Sequence, residues 1–180
     1  MGERITRAIT GLDLAFNVVG QGPPLLLIHG FGANAYTWKK LVKYFAAQYT
    51  VISLDLKGHG RSPKPLDGGY SLHDQANLIT EFIHAKGLHN VTIVGHSFGG
   101  AIALLSYIKL KKQGSNAIRA LVLIDTIAYR QRLPVLINAL CVPLLGYFLV
   151  HTFPEKFQVN MILKLVYYDS GRITEETVLS

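Results

Sequence analysis

The sequence predicts an α/β protein with a mostly parallel sheet and helices on both faces. Three observations carry that expectation. Strand-like and helical stretches alternate from Leu25 to Ile124. The stretches Leu25–His29 and Ala120–Ile124 are continuous apolar runs, the pattern of strands buried on both faces. Helices separate successive strands, the arrangement of parallel pairing with right-handed crossovers.

The elements follow in order. Arg4–Ile9 and Leu12–Val19 read as two strands around a turn at Thr10-Gly11, with β-branched Val18 and Val19 closing the second. Gly20 to Pro24 is a cluster of chain breakers, and the apolar strand Leu25–His29 follows it. Tyr36–Gln48 has helical spacing, with Trp38, Leu41, Val42 and Phe45 on one side. Val51–Leu54 is a buried strand ending at Asp55. After a loop rich in glycine and proline, Ser71 opens a helix with an acid three residues on, a capping box, and that helix runs to about Lys86. Val91–Val94 is the next strand, Phe98–Lys112 the next helix, and Ala120–Ile124 a strand ending at Asp125. Residues 1–129 therefore read as part of an α/β core, and 130–180 as a helical region beside it.

Composition narrows the function. Of 180 residues, 49% are apolar and 16% charged, which suits one real core and not a disordered chain. Lys plus Arg number 18 against 11 acids, giving +7 and a pI near 9.5. The basic residues are scattered, and the densest stretch, Lys109–Lys112, is one turn of the predicted helix. No basic run interleaves with aromatics and no zinc or helix-turn-helix spacing occurs, so nucleic acid is not an expected partner. A single cysteine, Cys141, excludes an internal disulfide framework and a Cys-rich metal site. The first twenty residues lack the apolar core of a secretory signal, so the expected compartment is the cytoplasm. Met1-Gly2 with Thr6 fits the loose myristoylation pattern, but those residues read better as a strand. From Leu133 to Val150 there is no charged residue. Pro134 and Pro143 interrupt that run, and it is expected to form short apolar helices lying over the core rather than a membrane span. Membrane contact through it is the lesser alternative.

The chemistry centres on Gly95-His96-Ser97-Phe98-Gly99, a G-x-S-x-G motif between a predicted strand and a predicted helix. A serine on such a sharp turn stands clear of the sheet at a helix N-terminus, where the dipole and free N–H groups favour developing negative charge. Side chains at Gly95 and Gly99 would collide with neighbouring segments, and Gly100 extends the motif. A second turn, His29-Gly30-Phe31-Gly32, follows the first apolar strand. The backbone N–H groups of Phe31 and Phe98 are expected to converge on one carbonyl oxygen. His29 itself reads as a residue bonding the loop backbone rather than as a base.

These residues resemble the α/β-hydrolase superfamily, in its cap-bearing branch of esterases, lipases and carbon–carbon-bond hydrolases. The matching stretches are Gly22 through Gly32, Asp55 through Ser62, Tyr70-Ser71-Leu72, and the elbow through Gly100. The resemblance implies that Ser97 is the nucleophile, that Phe31 and Phe98 form the oxyanion hole, and that a helical cap starts near residue 130. It also implies that Lys57–Ser62 is a structural loop braced by His59 and Arg61. Epoxide hydrolases and haloalkane dehalogenases on this fold place a carboxylate where Ser97 stands, so neither chemistry is expected. With no nucleotide fingerprint and no metal-ligand cluster, no cofactor is implied and no metal site is expected. The expected substrate is a small hydrophobic acyl compound.

A serine hydroxyl needs an imidazole to take its proton and an acid to orient that imidazole, in the chain order Ser, acid, His on this fold. After Ser97 the only histidine is His151, so the one in-chain set is Ser97, Asp125 and His151. His151 lies in the apolar segment, and Asp125 is expected instead to close its strand. The resemblance covers only the first half or so of the family's domain and would leave strand 120–124 as a bare apolar edge. The chain is therefore expected to be an N-terminal part of a longer hydrolase and to turn over esters poorly by itself. A non-catalytic binding module with the same pocket is the alternative from a different class.

Overall fold

Strands β1 (Phe16–Val19), β2 (Pro24–Ile28), β3 (Thr50–Leu54), β4 (Val91–His96) and β5 (Ile118–Ile124) form one sheet in the order β1-β3-β2-β4-β5. β1 runs antiparallel to β3, and the other neighbours are parallel. A computed structural model describes residues 14–127 and, beyond them, Thr152, Pro154, Phe157, Val159, Asn160 and Lys164. The chain divides into two compact units, Met1–Tyr129 and Arg130–Ser180.

β2 lies in the middle because its residues are apolar on both sides. Leu26 stands level with Ile52 and Ile93, while Leu27 stands level with Ser53 and Val94. Alternation along the strands then builds two cores. Leu26, Ile28, Ile52, Leu54 and Ile93 face the helices α2 (Leu72–Ala85) and α3 (Phe98–Lys112). Leu25, Leu27, Val51 and Val94 face Trp38 and the short helix α1 (Lys39–Phe45). Ile79, Ile83 and Ile102 are wholly buried in the first core, each contributing about 1.5–3 kcal/mol by leaving water.

The helix ends follow local rules. Ser71 Oγ accepts the N–H of Asp74 at 3.2 Å and Asp74 accepts the N–H of Ser71 at 3.0 Å, the capping box expected from the sequence. Past the end of α2, Gly87 takes φ 58°, which lets Leu88 N–H reach back to the Ile83 carbonyl at 3.0 Å.

The structure differs from expectation in several places, the first being β1, which begins at Phe16 with Leu14 and Ala15 outside the strand. Tyr36–Gln48 is not one helix: a 3-10 turn, Ala35–Trp38, capped by the Asn34 side chain on Tyr36 N–H, precedes the seven-residue α1. Leu41, placed on the apolar side by spacing, is 41% exposed. β4 and β5 are each longer than their apolar runs. The predicted strand Arg4–Ile9, the apolar run Leu133–Val150 and the helix start at Ile173 lie outside the described residues. Of the predicted helix Phe153–Tyr168, Phe157, Val159, Asn160 and Lys164 are helical. Among the described residues no helix is long and apolar enough to cross a membrane.

Val122, Leu123 and Ile124 of the end strand β5 are exposed. On the α1 face, Leu25, Trp38, Phe45, Val94, Val122 and Ile124 line an apolar groove of about 310 Å³. From β2 the chain moves outward to β3 and then returns to β4 on the other side of β2. That reversal opens a crevice at the carboxyl ends of β2 and β4, where sheets of this kind hold their ligands.

Candidate active site

Ser97 stands at that crevice, between β4 and α3, with φ 50° and ψ −115°. A non-glycine residue in this region costs on the order of 1–3 kcal/mol, so the surroundings must hold it there. They do so by close packing of backbone. A Cβ on Gly95 would lie 2.6 Å from Gly100 Cα, and one on Gly99 would overlap the carbonyl oxygens of His29 and Ile28. One on Gly100 would overlap the Thr126 side chain. The expectation of collisions at Gly95 and Gly99 is thus met, and Gly99 brings the first turn of α3 onto the end of β2. Ser97 N–H donates to the Ile124 carbonyl at 2.8 Å, fixing the elbow to the end of β5.

The second turn reaches the same place. A Cβ on Gly30 would lie 3.4 Å from Ser97 Cβ and 3.0 Å from His96 Nδ1. Ala33 N–H closes the turn on the Gly30 carbonyl at 3.3 Å, and Gly32 takes φ 69°. The rings of Phe31 and Phe98 meet edge to face at 5.9 Å, and Phe31 meets His59 likewise at 5.8 Å. Phe31 is 77% exposed and Phe98 half-buried. Phe98 is the first residue of α3, so its N–H has no acceptor within the helix. Ser97, Gly30, Phe31 and Phe98 are therefore brought together.

Two loops frame these residues, and one buried carboxylate ties them. Asp55, at the end of β3, accepts the N–H of Ala35 at 2.7 Å and of Arg61 at 2.9 Å. Its own carbonyl accepts the Ser62 hydroxyl at 2.6 Å, and Ser62 Oγ in turn accepts Ala15 N–H at 2.8 Å. The Arg61 side chain reaches Asn17 at 3.1 Å, and His59 Nδ1 lies 3.1 Å from the Lys57 carbonyl. His29 is wholly buried, with Nδ1 2.7 Å from the Gly30 carbonyl and Nε2 accepting Leu56 N–H at 3.0 Å. Burial holds its pKa below the ordinary 6.5, with the nearby His59 adding to the effect. These contacts match the bracing roles expected for His29, His59 and Arg61. The part of Asp55 as hub was missed. An acid closing a buried strand before a glycine-rich loop was the available signal.

Asp125 follows Ile124, the partner of His96 in the sheet register, so it leaves the same sheet edge as Ser97. It is exposed, with φ 45°, and it ends β5. Among the described residues no hydrogen bond or ion pair involves its carboxylate. His151 lies outside the described residues.

A half-buried serine turn beside a glycine turn thus stands at the switch point of the parallel sheet on an α/β scaffold. The sequence profile of the family described as alpha/beta hydrolase fold matches residues 23–155, and the chain belongs to that family. It is 35% identical over 129 residues to lipase 1 of Psychrobacter immobilis, covering 71% of this chain and 37% of the lipase. To a soluble epoxide hydrolase of a Corynebacterium it is 35% identical over 95 residues, covering 53% of this chain and 33% of that protein. An esterase from Exiguobacterium antarcticum superposes with a TM-score of 0.63 at 32% identity, over 73% of this chain and 48% of the esterase. The chain spans about a third of the length of these two relatives.

Proposed function

We propose that the chain carries the nucleophile and oxyanion hole of a serine hydrolase acting on an ester, thioester or related acyl bond. The observation that supports this best is the meeting of Ser97, in its strained backbone at the start of α3, with the Gly30 turn, where an added Cβ would lie 3.4 Å from Ser97 Cβ. Ser97 Oγ attacks the acyl carbonyl as its proton passes to a base. The carbonyl oxygen turns negative against the N–H groups of Phe31 and Phe98, each such donor contributing about 3 kcal/mol to the transition state. The leaving group departs with a proton, and water then releases the acyl group from Ser97. The exposed ring of Phe31 and the half-buried ring of Phe98 beside it favour a small hydrophobic acyl group.

Overall likeness does not choose the reaction, since the relatives include proteins named as lipase and as epoxide hydrolase. The hydroxyl at residue 97 favours acyl transfer over the carboxylate chemistry of an epoxide hydrolase. Residues from about 130 would begin the cap. In these 180 residues His151 is the only histidine after Ser97, so slow turnover is the expected behaviour of this chain.

A fluorophosphonate probe tests the reading: it should label Ser97, seen by mass spectrometry of the peptide, and Ser97→Ala should abolish labelling. No label on a folded chain would favour a binding module. Hydrolysis of a p-nitrophenyl ester at about 10 s⁻¹, the pace of an ordinary enzyme, would overturn the expectation of slow turnover. Loss of that rate in His151→Ala would then establish the in-chain set of Ser97, Asp125 and His151.

A further inference from the structure

His29 closes a hydrogen-bonded path that ends on the oxyanion turn. Its Nε2 accepts Leu56 N–H at 3.0 Å, and since that partner only donates, Nε2 carries no proton. The neutral ring then holds its proton on Nδ1, which donates to the Gly30 carbonyl at 2.7 Å. This carbonyl belongs to the same planar peptide unit as the N–H of Phe31. The unit is trans, so its C=O and N–H point to opposite sides, and fixing one direction fixes the other. Gly30 and Gly32 flank Phe31, which leaves the turn little steric resistance of its own to a rotated peptide. The other donor to the Gly30 carbonyl, Ala33 N–H, is longer, at 3.3 Å. His59 covers the imidazole, its ring centre 5.2 Å from that of His29.

We infer that His29 is a positioning residue for the oxyanion hole. As its Nδ1–H tautomer it fixes the Gly30–Phe31 peptide so that Phe31 N–H faces the acyl oxygen above Ser97. The buried end of β3 thereby sets the direction of a catalytic donor through one side chain. The inference rests on reading Phe31 as an oxyanion donor, so the test has one arm that does not need reactivity.

Two substitutions separate the two bonds of the ring. His29→Asn keeps an N–H near the place of Nδ1 and loses the acceptor for Leu56. His29→Gln reaches Leu56 with its carbonyl oxygen and loses the donor to Gly30. In ¹⁵N-resolved NMR of the full chain, the Phe31 and Ala33 amide signals should stay near their wild-type positions in the Asn variant. In the Gln variant they should move and exchange faster with solvent. Labelling of Ser97 by the fluorophosphonate should slow about 100-fold in the Gln variant and much less in the Asn variant, as for one lost oxyanion donor. Equal effects of the two substitutions on Phe31, or none, would overturn the inference. So would a wild-type imidazole carrying its proton on Nε2, a measurement that decides the matter where both variants fail to fold. If wild-type Ser97 does not react at all, the hydrolase reading fails, while the amide signals still decide what His29 holds in place.

Discussion

The carboxylate of Asp55 occupies the volume that a side chain at Gly60 would need. A Cβ on Gly60 would lie 2.5 Å from Asp55 Oδ2, and Gly60 takes φ 48° to turn the chain around it. The same group accepts the N–H of Ala35 from the loop after β2 and of Arg61 from the loop after β3. One acid therefore ties together the two loops that frame the candidate site.

Asp55→Asn keeps the volume and removes one acceptor, turning an amide N–H toward Ala35 or Arg61. The expected loss is about 2–4 kcal/mol of folding stability, read from urea unfolding. An unchanged midpoint would remove Asp55 from this role.

Gly99 and Gly32 should respond differently to alanine. At Gly99 a Cβ has no room against the carbonyls of His29 and Ile28, so Gly99→Ala should cost more than about 2 kcal/mol and displace the elbow. Gly32 has open space and only its φ of 69° to maintain, so Gly32→Ala should cost about 1–2 kcal/mol. Thermal unfolding of both variants beside the wild type checks the order.

His29 predicts a pH dependence of stability. Burial favours its neutral ring, so its pKa in the folded chain lies below 6.5. The unfolded chain then binds that proton more readily, and acid favours unfolding. The contribution is fully present above pH 6.5 and is lost as pH falls from there toward the folded value. Urea midpoints between pH 8 and 5 should therefore fall, and more steeply in wild type than in His29→Asn. Asp67 and Asp74, lowered by bonds from Lys57 and Ser71, act in the separate window below 3.8.

Phe82 is 2% exposed and meets Phe16 edge to face at 5.1 Å, at the centre of the core between the sheet and α2. Phe82→Ala should cost about 3–5 kcal/mol by denaturant titration. A smaller loss would mean that α2 can settle into the gap.

What the sequence made legible was what short-range patterning controls. β2 and α3 follow from apolar runs, the cap at Ser71 from a four-residue rule, and the elbow from glycines whose neighbours leave no room for Cβ. The role of Asp55 depends on backbone N–H groups of Ala35 and Arg61, positions whose side-chain identities say nothing about that bond. The 3-10 turn at Ala35–Trp38 was hidden for a related reason, since Asn34 and the Asp55 anchor tighten the first turn while the side-chain spacing stays helical. Ile118, a buried residue, and Arg119, an exposed one, join β5 through pairing with β4, a tertiary effect that the apolar run at Ala120–Ile124 does not announce.

The indole of Trp38 is the only one in the chain, is 3% exposed, and its Nε1 finds no acceptor among the described residues. Its fluorescence is therefore expected to be that of a buried indole on the α1 face. Trp38 closes the 3-10 turn whose first N–H is held by Asp55. Release of that anchor should shift the emission to the red, whereas a molecule attached to Ser97 should leave it unchanged. The protein thus carries its own optical gauge of the frame around the site, separate from any chemical label on the serine.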